Sequence, residues 1–210
     1  MRLFLIGCEY AGTTTLAFKI RDWVKAKKGI DFGSVHDHWK IPDVVVHTPD
    51  ELTEQETQQF LALSTRVKEA YMRHNLYYHT PHGIRKEDQL IIGHYIEDTI
   101  YANLYYNYGG PGQAGFRTAH SKTIEEIVMK LAPETVLILV KASPEAIRKR
   151  MLDKPHKYPV VQEKDIETVL QAFESSFQAS QISNKISIDT TRFSPDESLV
   201  EFAKKIRAFS

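Results

Sequence analysis

One cysteine, Cys8, stands in 210 residues, so no internal disulfide can form and the chain reads as suited to a reducing cytoplasm. A surplus of charge is missing too, since 27 basic residues meet 27 acidic ones. A binder of nucleic acid or of an anionic membrane would carry a basic excess, so neither partner is expected and any anion site must be local. Long apolar runs are also lacking. The longest are strand-sized, well short of the roughly 20 residues that span a bilayer as a helix. Residues 1–7 begin like a secretory leader, but Gly7 and Glu9 interrupt the apolar stretch. Nine histidines are present, yet His36, His38, His74, His79 and His82 follow no zinc spacing and have no second cysteine to help them. Without a repeat, a low-complexity tract or a linker, the chain reads as a single domain over 1–210, long enough to bury a substantial core.

A further absence sits inside a motif. Residues 3–16 read LFLIGCEYAGTTTL, which nearly matches the phosphate-binding pattern G-x-x-x-x-G-K-[ST]. Gly7 and Gly12 take the glycine positions, Thr14 takes the hydroxyl that ligates Mg²⁺, and Thr13 stands where lysine belongs. An apolar strand enters the loop and a helix leaves it. Such a turn aims consecutive backbone N–H groups, with the helix dipole behind them, at one point, so an anion is favoured even without a side-chain cation. Losing one well-aimed cation costs about 3 kcal/mol of transition-state stabilisation, so binding survives more readily than catalysis. The alternative is a tight strand–helix turn that binds nothing.

Periodicity places strands at Leu3–Ile6, Ser34–Asp37, Gln89–Gly93, Thr135–Val140 and Lys185–Asp189. Helices are predicted from Thr14 to Lys28, from the Thr48-Pro49-Asp50-Glu51 start through to His74, across Ile96 to Leu104, and from a Ser121 cap to Leu131. Others run from Pro144 to near Pro155, over Glu163–Ala179 and over Pro195–Phe209. Strands alternating with helices predict a three-layer α/β/α domain on a mainly parallel five-stranded sheet. Ligands of such sheets lie beyond the strands' carboxyl ends. That edge gathers residues 7–14, 36–40 and 93–98.

The sequence resembles the P-loop nucleoside and nucleoside-monophosphate kinases. Its loop is similar to the thymidylate-kinase form G-x-[DE]-G-x-G-K-T-T through Gly7, Glu9, Gly12, Thr14 and Thr15, with Tyr10 for glycine and Thr13 for lysine. Gly93-His94-Tyr95 occupies the place of that family's Asp-Arg-Tyr, and SPEAIRKRMLDKPHKYP resembles its lid passage, with Arg150 at the arginine ending the lid-bearing helix. The resemblance implies a small helical lid about 151–163, a nucleotide such as ATP with Mg²⁺, and a small-molecule acceptor. It implies a nucleotide site of Gly7, Glu9, Ala11, Gly12, Thr13, Thr14, Thr15, Arg150 and Lys154, with Thr14 on the metal. It also implies Asp37 as the carboxylate that takes the acceptor's proton, with Trp39 beside it, and leaves the oligomeric state open, a homodimer included.

A second resemblance is to the sulfotransferases that use 3′-phosphoadenylyl sulfate, whose loop is like G-x-x-[KR]-x-G-T-T-x-L. There Thr13-Thr14 is expected, Tyr10 replaces the basic residue, and His94 would be the base. A third reading is a nucleotide- or anion-binding protein without turnover.

Other residues carry two readings each. Asp37 is either a proton acceptor or an exposed turn aspartate. His94 and Tyr95 follow a strand at the expected cleft rim, where a histidine accepts a proton or simply bonds a backbone carbonyl. Glu97 and Asp98 begin a helix, as carboxylates favoured by the dipole or as substitutes for the missing aspartate. Arg148, Arg150, Lys154, His156 and Lys157 form a basic cluster that either closes over polyphosphate or lies on a solvated helix face. The glycine-dense stretch 109–115, with Arg117 and His120 after it, reads as a loop able to cover an acceptor.

Overall fold

A computed structural model describes residues 1–32, 35–37, 41, 52–82 and 88–209. Its sheet contains five strands, all parallel: β1 (Arg2–Ile6), β2 (His36–Asp37), β3 (Gln89–Ile92), β4 (Val136–Lys141) and β5 (Asn184–Asp189), in the order β2-β3-β1-β4-β5. Apolar runs with no polar alternation, such as Leu3–Ile6 and Val136–Val140, are what a strand covered on both faces requires, and every residue of β1 is buried. Phe4 pairs with Ile91 on one side and Leu137 on the other. Chain order reverses across β1: β3 and β2 lie to one side, β4 and β5 to the other. The turn leaving β1 therefore opens at the sheet's switch point.

Helix α1 (Thr13–Lys28) covers one face with α8 (Pro195–Lys205); α4 (His94–Tyr105), with α5 (Arg117–Leu131) and α7 (Ile166–Ala179), covers the other. Gly29 ends α1 at φ 67°, in the left-handed region where glycine is unstrained. Ser143 and Pro144 start α6 (Pro144–Asp153), with the Ser143 hydroxyl accepting from Ala146 N.

Two boundaries differ from expectation. The helix predicted from Thr48 to His74 is two helices, α2 (Glu54–Ala62) and α3 (Thr65–Tyr78). Thr53 and Glu56 form a capping box that starts the first, while Leu63 and Ser64 are extended and Ser64 precedes the second without a side-chain capping bond. The start proposed at Thr48–Glu51 lies outside the described residues. Ser121 is no cap: α5 begins at Arg117, and the Ser121 hydroxyl lies 2.6 Å from that of Thr99 on α4.

Candidate functional site

Between β1 and α1 the chain turns through Gly7 to Gly12. Ala11 N donates to Cys8 O at 2.9 Å, and Gly12 enters α1 at φ 90° with no side chain to cap it. The first-turn amides therefore keep no intrahelical acceptor. They line a cavity of about 490 Å³ that takes in residues 7–16, Asp37, Glu97, Lys154 and Phe193. Gly7 cannot be larger, because a Cβ there would stand 2.6 Å from Val140 O and 2.9 Å from Thr13 Oγ1. Thr13, in the lysine position, is 8% exposed, and its hydroxyl has no hydrogen-bond partner among the described residues. A buried hydroxyl normally finds one.

Tyr10 adopts φ 66°, a left-handed conformation that costs a non-glycine residue roughly 1–2 kcal/mol. Its surroundings hold it there. The ring stacks on His156 at 4.1 Å, the phenol oxygen accepts from His156 N at 3.0 Å, and the carbonyl accepts from Arg150 Nη1 at 3.0 Å. Glu9 beside it carries a side chain only 6% exposed. Its Oε2 accepts from Val160 N and Val161 N, each at 2.8 Å, and its Oε1 lies 2.5 Å from His156 Nδ1. The Glu9 amide in turn donates to the Tyr101 hydroxyl. From the far side, Glu54 at the start of α2 receives Lys157 Nζ and the Tyr158 hydroxyl. The segment joining α6 to α7 is thus tied down at two points, over the loop and over α2.

Among the expected lid cations, Arg150 and Lys154 both border the cavity but differ in their bonding. Arg150 is half-buried and spends its guanidinium on Tyr10 O, Thr190 Oγ1 and Thr190 O. Thr190 Oγ1 passes the brace on to Ala11 O, so Arg150 fixes the loop's shape. Lys154 is exposed and makes no ion pair among the described residues. Arg148 and Lys157 face outward in pairs with Glu167 and Glu54.

On the opposite wall the Thr14 hydroxyl donates to Asp37 Oδ2 at 3.2 Å, so the two residues singled out at the ends of β2 and the loop meet. Glu97 joins them from α4, 7% exposed. Gly93 explains how: at φ 78°, any Cβ it carried would lie 2.5 Å from Glu97 Oε2. Glu97 fills the space that a side chain at position 93 would use.

Three expected residues are not brought to this cavity. His94 is fully buried at φ 47°, with Nε2 3.0 Å from Leu76 O and its ring against Phe4. Desolvation, the largest influence, lowers its pKa to about 4. Tyr95 is buried and donates to Glu125 Oε1 at 2.7 Å. Arg117 is wholly buried between Glu69 (2.8 Å) and Asp98, under the Tyr108 ring. The glycine-dense stretch packs on that triad; a Cβ at Gly109 would stand 2.5 Å from Arg117 Cγ. Trp39, also expected at the site, lies outside the described residues. Sequence reasoning missed Thr190 and Phe193, single residues whose types give no clue until the strand ends converge.

No protein-family profile and no curated protein matches the chain. Solved structures do. The YorR protein of Bacillus subtilis, in complex with phosphorylated GDP, is 16% identical with a TM-score of 0.61, the match covering 99% of this chain and 98% of that one. Deoxyadenosine kinase from M. mycoides with bound dATP is 13% identical with a TM-score of 0.58, over 99% and 100% of the two chains. Thymidylate kinase from Ehrlichia chaffeensis is 11% identical with a TM-score of 0.55, over 98% of each. Such end-to-end likeness at so low an identity speaks for architecture: this chain has the α/β P-loop fold of nucleoside and nucleotide kinases.

Proposed function

We propose that the protein is an ATP-dependent phosphotransferase acting on a small hydroxyl-bearing acceptor, a nucleoside or nucleotide foremost. The observation that carries this reading is the cradle: first-turn amides of α1 and the Thr13 hydroxyl face a cavity with Lys154 on its rim, and among the described residues neither that hydroxyl nor Lys154 has a partner. The amides and the Thr13 hydroxyl bind phosphate oxygens, and Lys154 supplies from the lid the positive charge that the loop lacks. Asp37 orients the acceptor hydroxyl and takes its proton; its bond to Thr14 supports that role by holding the carboxylate beside the loop.

Mg²⁺ fits this wall through its hard oxygen donors, the Thr14 hydroxyl with Glu97 and Asp37 behind it. Such an ion would keep several of its waters and lean on the phosphates for the rest of its shell. When bound it would screen the polyphosphate's charge. Lys154 and the loop do the rest: they fix the donor, exclude water beneath the lid and hold the transferring group in line.

Calorimetric titration with Mg-ATP, ADP and adenosine 3′,5′-bisphosphate, followed by a turnover assay over nucleosides and nucleotides, tests the proposal. Mg-ATP binding that weakens in Lys154→Ala, with phosphoryl transfer to an acceptor, is the expected result. Preference for the bisphosphate would overturn it in favour of sulfuryl transfer, a reading whose intended base, His94, is buried away from the cavity. Binding without turnover would favour the non-catalytic reading, which the threonine in the lysine position supports.

A further inference from the structure

The segment 154–161 reaches the loop, and the bonds that bring it there start from the loop's own residues. Glu9 offers a carboxylate to two consecutive backbone amides, Val160 N and Val161 N, a pairing that a lid would otherwise reserve for an anion. Tyr10 adds the stacked ring and the phenol oxygen under His156. Both attachments lie within seven residues C-terminal to Lys154, and Arg150, four residues before it, is bonded to the Tyr10 carbonyl. Lys154 therefore sits in a short span fastened to the loop on either side.

We propose that Glu9 and Tyr10 are positioning residues that hold the lid so that Lys154 stands over the phosphate cradle, the loop thereby placing from outside the cation it does not carry within. The proposal rests on the phosphotransferase reading for what Lys154 does, but the clasp is testable without it. The strained φ of Tyr10 has its reason here: at this position the backbone suits glycine, and tyrosine persists because its ring and hydroxyl both engage the lid.

The first arm of the test is hydrogen–deuterium exchange of the ligand-free protein. Glu9→Gln, which replaces the carboxylate that accepts from both amides with a neutral group, and Tyr10→Gly, which removes the ring and hydroxyl under His156 and relieves strain, should each raise exchange at Val160 and Val161 ~10-fold or more. Exchange over β1 and β4 should stay as in the wild type. Unchanged exchange at 160–161 in both variants overturns the clasp. The second arm measures Mg-ATP kinetics for Lys154→Ala, Glu9→Gln and the double variant. The apparent KM should rise roughly tenfold in each single variant, and the double should be little worse than either, because an unplaced lysine has nothing left to lose. Multiplying losses overturn the positioning role. Glu9→Asp, a shorter carboxylate, should rescue part of the Glu9→Gln defect. If the wild type binds no Mg-ATP at all, the phosphotransferase reading falls while the exchange arm still decides the clasp.

Discussion

Thr13→Val separates the two demands placed on the lysine position. The substitution keeps the β-branched shape and deletes one hydroxyl, which is buried and has no partner among the described residues. Leaving such a group without a hydrogen bond costs about 1–3 kcal/mol. Its removal should therefore stabilise the ligand-free protein by about 1 kcal/mol, or roughly 2–4 °C in Tm for a chain of this size. Ligand binding should move the opposite way. If the hydroxyl donates to a phosphate oxygen, that charge-assisted bond is worth about 1.5–3 kcal/mol, so Mg-ATP should bind roughly 10- to 100-fold more weakly. Differential scanning fluorimetry gives the first number and calorimetric titration the second. A variant that melts lower and binds Mg-ATP as tightly as the wild type would refute the reasoning on both counts, since the hydroxyl would then have a partner in the fold and none in the ligand.

Gly7→Ala should fail differently: its new Cβ meets Val140 O at 2.6 Å, backbone that cannot swing aside, so Tm should fall by several degrees and Mg-ATP binding should be lost, as a thermal melt and a titration would show. Arg117→Met removes the guanidinium shared by Glu69 and Asp98 and should cost about 3–5 kcal/mol in a denaturant melt. Because burial already raises the Asp98 pKa to about 7, the deficit should be larger at pH 8, where that carboxylate is ionised, than at pH 5.5. His94 is kept neutral by burial with a pKa near 4, below the ordinary 6.5. The unfolded chain takes up a proton below pH 6.5 that the folded one refuses, so stability should drop as pH falls from 6.5 to 4, by about 1.4 kcal/mol per unit from this ring. Melts across that range on wild type and His94→Asn should show a shallower acid limb in the variant.

The strands were legible because a parallel sheet covered on both faces writes itself as unbroken apolar runs: β1, β3, β4 and β5 appear within a residue of their predicted places, and β2 ends at Asp37 as predicted. The loop was legible from spacing, and the meeting of Thr14 with Asp37 follows from strand ends sharing an edge. What escaped depended on distant partners. Arg117, following a glycine-dense stretch, reads as a surface cation; it is interior because Glu69 and Asp98, 48 and 19 residues away, converge on it. His94 and Tyr95 sit at a strand end, where a rim is expected, yet α4 begins immediately and turns both rings inward. Glu97, one turn along, reaches the cavity instead, and only the empty space at Gly93 reveals why.

The solitary thiol acquires a use from where it lies. Cys8 is 1% exposed within the bend that the phosphates are proposed to occupy, and burial pushes its pKa well above the ordinary thiol range, so alkylating reagents meet almost no thiolate while the bend holds its shape. With no other cysteine in the chain to confuse the count, the pace of its modification is a built-in gauge of how often that bend breathes open, readable on the unaltered protein by mass alone.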